Sequence, residues 1–166
     1  MKSLVVFYSL TGNTGHVAST LAALLGADSE QIQTVSPYKG GWGYLKAAYH
    51  SMVGHHVGIQ PPAISPNSYD IVVIAGPIWV GHVAPPLQTY LRKFRGDFKN
   101  AAYCVTRGGS SPDQAFSEME ALCGKPPIAK LALTAKEVTD GAHGGPAKDF
   151  VKTINDALAK RLQAIA

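Results

Sequence analysis

Three hydroxyls and a carboxamide stand within the hexapeptide Ser9-Leu10-Thr11-Gly12-Asn13-Thr14, directly after an apolar run, Lys2–Tyr8. Where such a run is a buried strand and the residues beyond it open a helix, free backbone N–H groups and the positive end of the helix dipole form an anion site. The side chains add further donors, and phosphate is the guest that suits them. The loop is no nucleotide P-loop: no Lys follows the glycine, and Gly12 and Gly15 do not give the G-x-G-x-x-G spacing. Simple helix capping is the plainer reading, but a single cap residue suffices for that, and here four polar residues occupy six positions.

Other groups with chemical potential carry less. His50, His55 and His56 are close in sequence, yet their spacing fits no zinc pattern and no thiol joins them, so they read as surface loop residues. His82 could donate a proton or bind a substrate, but adjacency to an unusual loop assigns it neither role. Cys104 lies in a strand-like stretch and Cys123 in a helix-like one, without C-x-x-C spacing. Two buried thiols in a reducing cytosol are therefore expected, not a disulfide. No metal site is expected.

The elements that must position these residues alternate along the chain. Lys2–Tyr8 reads as a buried strand. Val17, Leu21, Leu24 and Leu25 then recur at helical spacing, with Gly26 at the place of a left-handed cap. Ser29–Val35 is a more polar strand, expected near a sheet edge. Leu45, Ala48, Tyr49, Met52 and Val53 predict a short helix after Lys39-Gly40-Gly41-Trp42-Gly43, in which Trp42 reads as a cover or an interface residue. Gly54–Asn67 is too rich in Pro and Gly for regular structure.

Tyr69–Ala75 predicts a central strand closed by Gly76-Pro77. Pro85 and Pro86 open a helix with Leu87, Tyr90, Leu91 and Phe94 on one face. Ala101–Thr106 is the fourth strand, and Ser111 with Gln114 suggests a capping box for a helix through Phe116, Met119 and Cys123. Ile128–Thr134 is the fifth strand, and Pro146–Ile165 predicts the last helix.

Five strands alternating with helices require crossover connections, hence a parallel sheet in a three-layer α/β sandwich with helices on both faces. In such sheets ligands gather beyond the carboxyl ends of the strands, at the switch point of the strand order. The loops after strands 1, 3 and 4 are thus the expected site, and they hold the least ordinary residues of the chain.

Composition narrows the class. The 166 residues are 46% apolar without a glycine period, which excludes disorder and collagen-like structure and is consistent with one domain. No apolar run approaches the roughly 18–20 residues of a membrane span. The apolar start leads into Thr11-Gly12-Asn13 instead of a cleavage site, so an unprocessed cytoplasmic protein is expected. The net charge of +4 is spread over scattered Lys and Arg residues with no basic stripe carrying interleaved aromatics, which argues against nucleic acid. Arg92-Lys93-Phe94-Arg95 reads as a complement to a helix C-terminus.

The run Ser9-x-Thr11-Gly12-Asn13-Thr14 after an N-terminal strand resembles the phosphate loop of the flavodoxin family at every defined position. Ala75-Gly76-Pro77-Ile78-Trp79-Val80-Gly81 with Ala84-Pro85-Pro86-Leu87 is similar to that family's second flavin loop. Thr106-Arg107-Gly108-Gly109-Ser110 is similar to its third, and Phe116-x-x-Met119 with Gly124-Lys125 to the segment that follows. The resemblance covers essentially the whole chain and implies a sheet of order 2-1-3-4-5 and FMN as cofactor. Its phosphate would be held by neutral hydroxyls and amides in the loop of Ser9, Leu10, Thr11, Gly12, Asn13 and Thr14. Its ring would meet Pro77, Ile78, Trp79, Val80 and Gly81, and Thr106, Arg107, Gly108 and Gly109. Trp79 can stack on the ring and exclude water, against the plainer reading of a core or interface Trp. Gly81, Gly108 and Gly109 let backbone amides approach the ring edge.

Flavodoxins that shuttle single electrons are usually strongly acidic and often present a second aromatic from the third loop. This chain departs on both counts: it is net basic, and it offers Arg107 there. A fully reduced flavin is an anion, which a nearby cation stabilises. If Arg107 faces the ring, two-electron chemistry is favoured; it could also face solvent or pair with Asp113. The expected function is an FMN-dependent oxidoreductase passing electrons from NAD(P)H or a reductase to a quinone-like or protein acceptor. A one-electron carrier, and a non-redox module for another phosphate ligand or a protein, stand as alternatives.

Overall fold

A computed structural model describes residues 1–36 and 57–165. The short helix expected around Leu45 to Val53, Trp42, and the histidines at 50, 55 and 56 lie outside the described residues.

The strands are β1 (Ser3–Phe7), β2 (Asp28–Gln31), β3 (Ile71–Trp79), β4 (His82–Val83), β5 (Ala101–Arg107) and β6 (Pro127–Thr134). The helices are α1 (Asn13–Leu25), α2 (Pro85–Lys93), α3 (Asp113–Cys123), α4 (Ala135–Thr139) and α5 (Gly144–Ile165). The strands form a sheet of order β2-β1-β3-β5-β6, parallel throughout, with β4 added antiparallel to β3. The five expected strands thus take the order 2-1-3-4-5, and the two-residue β4 is an addition.

Two apolar layers sandwich the sheet. Leu4, Val6, Val72, Ile74, Tyr103 and Val105 face Leu87, Tyr90 and Leu91 of α2 and Phe116 and Met119 of α3. The alternate residues Val5, Val73, Ala75, Ala102 and Cys104 face Val17 and Leu21 of α1 and Phe150, Ile154 and Leu158 of α5. Burial on both faces is why the central strands read as continuous apolar runs and not as alternations. Gly76 is needed where β3 meets α2, because a Cβ there would stand 2.5 Å from the Cδ2 of Leu87. Gly26 closes α1 in the left-handed conformation, as expected. Both cysteines are buried and free, and burial pushes the Cys104 thiol up to about 12, which leaves it unreactive.

Several boundaries differ from expectation. The second strand ends at Gln31, and Thr34 makes only an isolated antiparallel bridge to Ile59. The third strand does not close at Gly76-Pro77 but runs on to Trp79. Its partner β1 ends at Phe7, opposite Ala75, so Pro77 lies past the last β1 rung and its missing N–H costs no bond there. Pro77 instead pairs by register with Thr106, and its carbonyl accepts the Ala84 N–H at 3.1 Å. Trp79 is therefore the last residue of a strand and not a loop residue.

The capping box expected at Ser111 is absent. The Ser111 hydroxyl bonds the Asp113 carboxylate at 2.8 Å, and α3 begins without a side-chain cap. A capping box stands instead at α4, a helix missed in the sequence. Glu137 N–H donates to Thr134 Oγ1 at 3.2 Å, and the Thr134 N–H donates to Glu137 Oε2 at 2.7 Å.

Candidate functional site

The carboxyl ends of β1, β3 and β5 open into a cavity of about 220 Å³, lined by Leu10, Thr11, Asn13, Thr14, Pro77, Ile78, Trp79, Thr106, Arg107, Gly108 and Ala135. All but Ala135 belong to the three loops singled out in the sequence. Ala135 opens α4 directly after β6, and the T-x-x-E signature of residues 134–137 was the sequence signal that could have placed it there.

The first loop is shaped from within. Ser9 Oγ accepts the N–H groups of Gly12 and Gly15, each at 3.2 Å, so this hydroxyl closes the turn instead of lining the cavity. Gly12 precedes α1 with φ of 96° and open space around its Cβ position, so it is the backbone angle, not crowding, that calls for glycine. With Gly15 and His16 N–H groups bonded to Ser9 and Gly12, the Asn13 and Thr14 amides are the ones in the first turn of α1 with no acceptor among the described residues. They stand at the positive end of the helix together with the Thr11 and Thr14 hydroxyls and the Asn13 carboxamide.

One buried bond joins the first loop to the third. Thr14 Oγ1 lies 2.7 Å from Thr106 Oγ1, and both residues are almost wholly buried. This tie fixes the start of α1 against the end of β5, across 92 residues of sequence.

Arg107 supplies the only charged side chain in the cavity wall among the described residues. Its Nη1 donates to the Ser110 carbonyl at 3.0 Å, and it makes no ion pair with Asp113, whose carboxylate is held by Ser111. The Nε of Arg107 is buried with no acceptor among the described residues. The positive field of Arg107 also reaches Glu137, whose carboxyl is held below the usual carboxylate range first by the Thr134 hydroxyl and then by the Thr134 N–H, with Arg107 adding to both.

Trp79 is half-buried and packs edge-on against Tyr8, with ring centroids 5.8 Å apart and planes at 81°. Tyr8, the residue just before the first loop, was not singled out in the sequence. Val80 and Gly81 form the turn between β3 and β4, with φ of 52° and 83°. Positive φ at both central residues matches the twist of a tight hairpin. Val80, Gly81, Gly12 and Gly109 belong to the loops but not to the cavity lining.

His82 lies on β4 outside the cavity lining. Its Nδ1 is 3.5 Å from Glu118 Oε1, and its Nε2 is 3.4 Å from Gln114 Nε2. The histidine is thus held by α3.

A neutral anion cradle at a helix start, a broad aromatic on one wall and a guanidinium on another suit a flat, hydrogen-bonding ring that carries a phosphate. A family model described as flavodoxin matches residues 2–139. Among solved structures, a flavoprotein from Lactobacillus acidophilus NCFM in complex with FMN is similar at a TM-score of 0.70 and 21% identity, over 84% of this chain and 97% of that one. A Fusobacterium nucleatum flavodoxin bound to flavin mononucleotide is similar at a TM-score of 0.57 and 12% identity, over 94% of this chain and 98% of that one. At these identities the likeness is one of fold. No curated protein matches the sequence at a significant level.

Proposed function

The chain belongs to the flavodoxin family, and on that premise we propose that it binds FMN in this cavity and acts as an oxidoreductase. The reducing equivalents come from NAD(P)H or a reductase and pass to a quinone-like or protein acceptor. The observation that carries the reading is the convergence of a neutral anion cradle, Trp79 and the Arg107 cation on one cavity.

The loop of Ser9, Leu10, Thr11, Gly12, Asn13 and Thr14 would hold the phosphate. Pro77, Ile78, Trp79, Val80 and Gly81, with Thr106, Arg107, Gly108 and Gly109, would hold the ring. Bound FMN supplies the capacity to accept and give up electrons singly or as hydride. The protein's own part is positional and electrostatic. Trp79 covers the site against water, and the Thr14–Thr106 bond holds two of the loops in register. Arg107 places a positive charge where negative charge accumulates on reduction, which favours the reduced state.

That electrostatic bias supports two-electron chemistry over a low-potential shuttle. Steady-state oxidation of NADH and NADPH by the FMN-loaded protein, with a series of quinones, tests it. Turnover with at least one donor and quinone is expected. No turnover with any donor would contradict the enzyme reading and favour the carrier.

A further inference from the structure

The Val80-Gly81 turn is the strained point beside the cavity. Among the described residues Val80 is the one non-glycine with positive φ, at 52°, a conformation poorly suited to a β-branched side chain. Its side chain is 53% exposed, so its own packing does not hold it there. The β4 strand that returns from the turn has two residues and pairs with β3 through Trp79↔His82 and Ile78↔Val83, with one further bond from the Ala84 N–H to the Pro77 carbonyl. Such a short pairing does little to fix a hairpin.

The hold comes from two helices. Both backbone polar groups of Val83 are taken by side chains: its N–H donates to Glu118 Oε2 at 2.8 Å, and its carbonyl accepts from Gln88 Nε2 at 2.7 Å. Gln88, on α2, is 1% exposed. Glu118, on α3, stands where a further strand would otherwise supply a carbonyl. Its second oxygen faces His82 Nδ1, and Gln114, one turn earlier on α3, faces His82 Nε2.

We infer that Glu118 is a positioning residue for the proposed flavin site: by accepting the Val83 N–H, its carboxylate pins the β3–β4 hairpin and so holds Trp79 at the cavity wall. The inference rests on the FMN reading for its functional meaning, but the clamp itself is a property of the protein alone.

The test compares Glu118→Ala with Glu118→Gln, since a glutamine carbonyl still accepts the Val83 N–H without carrying charge. FMN binding is expected to weaken by about tenfold or more in Glu118→Ala, as when a buried N–H loses its acceptor, and to stay within about threefold of the parent in Glu118→Gln. The visible circular dichroism of the bound flavin should change in the first variant and not in the second. Tyr69→Phe, which removes the Tyr69–Asp28 bond at the opposite end of β3, controls for general destabilisation and should leave both readouts unchanged. In a Trp42→Phe background, Trp79 emission should shift to longer wavelength in Glu118→Ala alone. This last readout needs no flavin: a shift in a protein that binds no FMN would support the clamp while ending the cofactor reading. Equal losses in both variants, or parental behaviour of Glu118→Ala, would overturn the inference. Should the alanine variant not fold, a loss of binding or a shifted Trp79 emission in Glu118→Gln would overturn it as well.

Discussion

Replacing Thr14 by Val is expected to weaken FMN binding by about 10–100-fold, the range that corresponds to losing a hydrogen bond of about 1.5–3 kcal/mol to a charged group. The substitution keeps the volume of the side chain but removes a hydroxyl from the anion cradle. It also strands Thr106 Oγ1, which lies buried 2.7 Å from Thr14 Oγ1, so the protein without ligand should lose about 1–3 kcal/mol of stability. The double variant Thr14→Val with Thr106→Val separates the two effects. With both partners apolar, most of the lost stability should return, whereas FMN affinity should stay low because the cradle hydroxyl is still missing. Isothermal titration with FMN and chemical unfolding of the apo-protein give the two quantities. Parental FMN affinity in Thr14→Val would remove the first loop from the site.

The second large effect concerns Arg107. Arg107 lines the cavity, its Nη1 is tied to the Ser110 carbonyl, and its Nε is buried without an acceptor among the described residues. Arg107→Gln should lower the two-electron potential of bound FMN by about 30–60 mV, which corresponds to about 1.5–3 kcal/mol of lost stabilisation of the anionic reduced state. The sign follows from the charge: a cation favours the form that carries more negative charge, so its removal makes reduction harder. Potentiometric titration of parent and variant reads the shift directly. An unchanged or raised potential would show that the guanidinium does not act on the ring.

The fold and the loops that line the cavity are legible in the sequence, for a physical reason. Central strands buried on both faces, such as Ile71–Ala75 and Ala101–Thr106, leave an unbroken apolar signature. The turn into α1 leaves a dense cluster of hydroxyls, as at Ser9 to Thr14, of which Ser9 closes the turn and Thr11 and Thr14 line the cavity. What the sequence obscured depended on partners distant in the chain. Pro77 read as the end of a strand, yet β3 continues through it because β1 stops at Phe7, opposite Ala75. Trp79 therefore ends a strand, and the hairpin around it is held by Gln88 and Glu118. Neither residue belongs to any recognisable motif, since a side chain that accepts or donates to a remote backbone group has no fixed spacing from it. Ser111 with Gln114 has the spacing of a capping box, but the box that forms is Thr134 with Glu137, at the start of a five-residue helix that directly follows the fifth strand.

Titration of the purified apo-protein with FMN, set against riboflavin, tests most directly whether the cavity between these loops is a flavin site. Binding of one FMN per chain is expected, with riboflavin weaker by about 10-fold or more because the helix start and the Thr11, Asn13 and Thr14 donors lose their phosphate. A protein that neither retains nor binds FMN, or that binds riboflavin equally well, would contradict the account.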